Sequence, residues 1–121
     1  MAIKIDITDL PFVGDRKTLK LPYDRKRQLP RCFWHVVSTG DYSKDDALGR
    51  DYALRYLDYE AADRGGPGHL QLIVGDMPRN LGPIEIGFPT LVSYAAAAGR
   101  AEAHRVERYW RSCAETEALE G

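Results

Sequence analysis

The side chains in this 121-residue sequence with the most chemistry to offer are Cys32, His35, His69 and His104. A thiol and imidazoles suit zinc, yet on a strand residues three apart point to opposite faces, so Cys32 and His35 would share an ion only across a bulge. A buried thiol and an ordinary strand histidine are the expected roles. His69 follows a glycine-rich turn and is the strongest acid–base candidate, provided the fold brings Asp76 or Glu85 to it. Asp41, Asp45, Asp46 and Asp51 lack the alternating oxygen ligands and terminal glutamate of a calcium loop and read as helix-capping or solvated acids.

Phosphate-cradling loops run from a strand into a helix. The turn 65–68 is expected to run the other way, from a helix into a strand, and reads as a helix stop. The nucleophile elbow, paired zinc cysteines and the HExxH helix are absent from the sequence. No cofactor, metal site or specified reaction is therefore expected.

Surfaces offer more than motifs. Residues 16–31 hold Arg16, Lys17, Lys20, Arg25, Lys26, Arg27 and Arg31 against the single acid Asp24, with Tyr23 available to stack. Such a segment can contact phosphates or meet an acidic protein surface. A compensating stretch, 41–63, carries seven acids against three bases. The chain is thus dipolar, which suits an oriented protein partner better than a polyanion. Tyr52, Tyr56 and Tyr59 recur at helical spacing beside a second apolar stripe of Leu54 and Leu57, so either the helix is buried broadly or the tyrosines are candidates for a partly exposed binding face of the kind enriched at hot spots. Farther along, Arg100, His104, Arg108 and Arg111 form a basic row diluted by glutamates.

The length suits one domain over 1–121, and a formal net charge of −1 with 44% hydrophobic residues is ordinary for a globular chain. No apolar run approaches the roughly 20 residues that span a bilayer, and the start carries acids where a secretory signal would be apolar. Two cysteines are too few for a disulfide scaffold, so a cytoplasmic protein without membrane contact is expected.

The elements that must position these residues follow from periodicity. Ile3, Ile5 and Ile7 alternate with polar residues, as do residues 18–21, and 32–37 is nearly all apolar; all three read as strands. Ser43 to Asp46 resembles a capping box opening a helix over about 44–62. After the turn at 64–68, the alternating runs 70–74 and 84–88 read as two more strands. From 91 to about 115 Val92, Ala96, Gly99, Ala103, Val106, Trp110 and Cys113 keep one helical face, which should lie against the sheet or a symmetry mate, with Gly99 a position where the helix could break. The expected class is α+β, an about five-stranded mainly antiparallel sheet with two helices in the order β-β-β-α-β-β-α.

The functional expectation is a small non-enzymatic protein-binding module that masks or bridges a partner's surface, an inhibitor or adaptor of the kind a phage or mobile element directs at a host complex. Partner contacts are assigned to Tyr52, Tyr56, Tyr59, Arg25, Lys26, Arg27, Arg108 and Arg111, and a homodimer is a further arrangement the last helix allows. The alternatives are a nucleic-acid accessory protein using 16–31, and an enzyme with its site near His69 or His35.

Overall fold

The computed structural model describes residues 6–62 and 68–120. Helix accounts for 61% of these, and the described elements include four α-helices and one two-stranded sheet, which overturns the expected five-stranded α+β architecture. Short strands β1 (Gly14–Asp15) and β2 (Arg31–Cys32) pair antiparallel, Gly14 opposite Cys32 and Asp15 opposite Arg31. They are followed by α1 (Tyr42–Ala62), α2 (Leu70–Gly75), α3 (Pro83–Ala98) and α4 (Arg100–Glu120). The chain divides into two compact units, Met1–Leu91 and Val92–Gly121.

Among the described residues the causes of the missing strands differ from one to the next. Residues 1–5 of the first lie outside the described residues, and its end, Ile7–Asp9, is a 3-10 turn closed by a capping box in which the Asp6 and Asp9 side chains each accept from the other's end of the turn. Residues 18–21 turn back, with the Leu21 amide donating to the Arg16 carbonyl at 2.8 Å and Lys20 in the left-handed region at φ 57°. The Asp15 carboxylate starts that turn by accepting from the Lys17 amide, a local bond that competes with a ladder. Of 32–37 only Cys32 joins the ladder. Cys32, Phe33 and Trp34 are buried in succession while Val37 is 77% exposed, so the run is packed inward without being part of the ladder beyond Cys32.

The runs 70–74 and 84–88 are helical. In α2 only Ile73 is fully buried, and in α3 the buried set is Ile84, Gly87 and Phe88, with steps of three and one, while Ile86 is about half exposed. Five alternating residues satisfy a helical period nearly as well as a strand period, and Pro83 at the first helical position favours the helix.

The helix expected over 44–62 is present as α1. Its N-terminus is capped two residues earlier than Ser43: Asp41 Oδ1 accepts from the Lys44 amide at 3.2 Å. Asp45 instead folds back on the preceding loop, accepting from the Thr39 amide at 2.9 Å, the Thr39 hydroxyl at 2.7 Å and the Ser38 hydroxyl. The turn at 64–67 lies outside the described residues.

The core of the first unit is aromatic. Phe12 is fully buried and its ring lies 5.2 Å from both Trp34 and Tyr52, while Phe88 sits 5.1 Å from Trp34 and 5.7 Å from Tyr56. Tilted and edge-on pairs of this kind contribute about 0.5–1.5 kcal/mol each beyond the area they bury. Helices α1 and α3 approach closely because both are glycine at the crossing. A Cβ on Gly49 would collide with the Ile84 carbonyl oxygen, and one on Gly87 would lie 2.8 Å from the Asp46 carbonyl oxygen.

The described residues of the second unit are helical on both sides of Gly99, which belongs to neither helix. Backbone bonds from the Gly99 amide to the Ala95 carbonyl and from the Ala103 amide to the Gly99 carbonyl, both 3.0 Å, carry the helical pattern through the break at Gly99. Within the unit the apolar face of 92–113 is bare, with Ala96, Gly99, Ala103 and Cys113 exposed and Trp110 64% exposed.

Candidate functional site

The 16–31 segment is held by a carboxylate from far along the chain. Asp76 caps the C-terminus of α2, and its side chain is only 5% exposed. One of its oxygens accepts from Arg16 Nη2 at 3.1 Å and from Arg27 Nη2, and the other accepts from the Phe33 amide at 2.8 Å. Arg27 Nε also donates to Asp24 Oδ2 at 2.9 Å, and the Arg27 amide donates to Asp24 Oδ1 at 3.0 Å. These bonds, led by the one from the amide, hold the Asp24 carboxyl below the usual aspartate range. The guanidinium of Arg27 lies over Gly75, where a Cβ would come within 2.9 Å of Nη1.

Charge in this cluster does not cancel. Arg16 and Arg27 are spent on Asp76 and Asp24, which leaves Arg25 and Lys26 without an ion pair among the described residues, beside Tyr23 at 65% exposure. Tyr23, Arg25 and Lys26 line a depression of about 450 Å³ whose floor is Arg16 and Gly75. Arg16 Nε is buried there without a hydrogen-bond partner among the described residues. The arrangement presents two uncompensated cations and an aromatic face on a loop whose own backbone is pinned.

The tyrosines of α1 lie elsewhere. Tyr56 and Tyr59 are each 5% exposed and Tyr52 is half-buried against Phe12 and Trp34, so their rings serve the interior. The Tyr56 hydroxyl donates to Glu60 Oε1 at 2.7 Å, and burial, reinforced by that carboxylate, pushes its pKa well up. Tyr59 Oη lies 3.1 Å from His69 Nδ1, and the His69 amide donates to the same Glu60 oxygen at 3.1 Å. His69 also stacks on Phe33. It is thus packed into the wall of the unit, and its expected acid partners are engaged elsewhere: Asp76 with the arginines, Glu85 with the Gly82 amide. His35 is exposed, with its amide donating to the Phe12 carbonyl at 2.8 Å. The Cys32 thiol donates to the Trp34 carbonyl, away from His35. Among the described residues no three of His, Cys, Asp and Glu converge as metal ligands.

On α4, Arg108 and Arg111 are exposed, Arg111 with a long 3.4 Å bond to Glu107. No helix among the described residues is long and apolar enough to cross a membrane. Comparison with protein-family models, curated proteins and solved structures finds no match to this chain. The anchor Asp76 is the residue that sequence reasoning placed in the wrong company, as a partner for His69; a lone acid after an apolar run carries no signal of the arginines 60 and 49 positions before it.

Proposed function

We propose that the protein is a non-enzymatic protein-binding module, an inhibitor or adaptor that masks or bridges its partner, and that it meets an acidic surface of that partner with the 16–31 loop. The observation that supports this reading is the pinning of the loop by Asp76, which leaves Arg25, Lys26 and Tyr23 unspent at its surface. A loop ordered before encounter loses less conformational freedom on binding, and uncompensated cations at its tip raise the encounter rate with an acidic partner. The excess of acids in the sequence over 41–63, seven against three bases, keeps the chain's charge uneven, which favours an oriented approach.

Nucleic acid is the second reading, favoured by Tyr23 beside the two cations, since aromatic rings and phosphate contacts combine in single-strand binders. One titration distinguishes the two. Binding of a polyglutamate peptide and of a single-stranded oligonucleotide of equal charge is measured by fluorescence anisotropy across a salt series, for the wild type and for Arg25→Ala with Lys26→Ala. Preference for the peptide, lost in the double variant, supports the module. Tighter oligonucleotide binding, with a log–log salt slope that shrinks by about 0.7 per cation removed, assigns the loop to nucleic acid instead. Failure to bind either at low salt overturns both.

A further inference from the structure

The apolar residues of the second unit keep one regular repeat. Val92, Ala96, Gly99, Ala103, Val106, Trp110 and Cys113 are separated by alternating steps of four and three, which is a heptad with Val92, Gly99, Val106 and Cys113 at one seam position and Ala96, Ala103 and Trp110 at the other. Within the second unit Ala96, Gly99, Ala103, Trp110 and Cys113 of this seam are exposed and Val92 and Val106 are half-buried. A shallow concavity of about 560 Å³ opens beside the seam, lined by its residues Ala96 and Ala103 and, on the flank, by Ala97, Arg100, His104 and Glu107. We propose that the unit Val92–Gly121 pairs with a second copy of itself as an antiparallel two-helix coiled coil centred near Ala103.

Size and charge select that partner and that direction. Antiparallel pairing brings each residue of one seam position opposite one of the other. In the centred register Gly99 of one copy faces Trp110 of the second, Ala96 faces Cys113 and Ala103 faces Val106. The largest side chain of the seam then meets its smallest, and this happens twice by symmetry. In the same register Arg100 of each copy flanks Glu107 of the other, so the charges on this flank of the seam are complementary to a second copy of themselves. Parallel pairing does the reverse. It would set Trp110 against Trp110, Cys113 against Cys113, and Glu102 beside Glu107 of the second helix, a like-charge pair at the flanking positions.

The seam and the 16–31 loop belong to different units and share no residue, so pairing would make the molecule bivalent. The test needs no partner. Light scattering on the full chain over a concentration series should give the mass of a dimer at high concentration. Arg100→Glu and Glu107→Arg should each raise the dissociation constant about tenfold, because each places two like-charge pairs across the seam. The combined variant Arg100→Glu with Glu107→Arg should restore wild-type association, a rescue that no loss of folding imitates, and far-UV circular dichroism checks that helix content is kept. Direction is read by oxidation. Cys32 is buried, so in Ala96→Cys a covalent dimer should form between the new thiol and Cys113 of the second copy, whereas the wild type should form none. A wild type monomeric at every concentration overturns the proposal and leaves the seam to a different protein. A wild type that crosslinks through Cys113 overturns the antiparallel direction.

Discussion

Asp76 Oδ2 accepts a hydrogen bond from the Phe33 amide at 2.8 Å, across 43 positions of sequence, while its other oxygen holds Arg16 and Arg27. One carboxylate at the end of α2 therefore fixes the start of the buried Phe33–Trp34 segment and the whole basic loop together. Asp76→Ala should destabilise the protein by about 3 kcal/mol, because it strands two guanidinium groups and a part-buried amide. Asp76→Asn keeps an acceptor for the amide and should cost roughly half of that. Urea denaturation measures both, and limited proteolysis should show new cleavage between Arg16 and Arg31 in the alanine variant. A stability change within about 0.5 kcal/mol for Asp76→Ala would place the loop's order elsewhere.

Gly49 is set by the approach of α3. Alanine is the better helix former by about 1 kcal/mol, so on propensity alone Gly49→Ala should stabilise. The Ile84 carbonyl oxygen and its carbon occupy the space a Cβ needs, and these are backbone atoms that cannot rotate away. Overpacking should win, with a net loss of about 1–3 kcal/mol. Gly40→Ala, where nothing lies within 4 Å, tests strain without crowding: its φ of 84° should still make the substitution unfavourable. A stabilised Gly49→Ala would show that the two helices are farther apart than described.

The buried tyrosines separate a core role from a surface one. Tyr56→Ala should cost about 3–5 kcal/mol by emptying a site against Phe88. Tyr56→Phe removes only the hydroxyl that donates to Glu60 and should cost about 1–2 kcal/mol. Thermal denaturation orders the two. Near-neutral values for both would return these rings to the surface and make them available to a partner.

Asp45 gives a pH dependence with a definite sign. Its hydrogen bonds from Ser38, then from the Thr39 amide and hydroxyl, hold its carboxyl below the ordinary 3.8. A carboxylate whose folded value is depressed adds stability that is fully present above its unfolded value and is lost as pH falls through the folded one. The wild type should therefore exceed Asp45→Asn in stability at neutral pH, and the difference should shrink as pH drops from 3.8 downward. Guanidinium denaturation at neutral pH and at several points below 4 reads this directly. An unchanged difference across that range would mean the carboxyl is not ionised in its bonds to Ser38 and Thr39.

How much of this was legible in the sequence depends on the range over which each feature is determined. The helix beginning near Ser43, the basic character of 16–31 and the heptad face from Val92 to Cys113 are readable because each is carried by neighbouring residues: caps and dipole-favourable acids, local charge, and a period sustained over three heptads. The helical state of 70–74 and 84–88 was decided by tertiary packing. Five alternating apolar residues fit either period, and burial of Ile73, Ile84 and Phe88 in the aromatic core selects the helix. The same holds for the site. Composition shows that 16–31 is positive, but which cations remain unspent depends on Asp76 and Asp24, and Asp76 meets Arg16 and Arg27 only because the fold returns the end of α2 to the loop. Likewise the tyrosine spacing of α1 is the same whether that face is bare or covered, and Phe12, Trp34 and Phe88, distant in sequence, are what cover it.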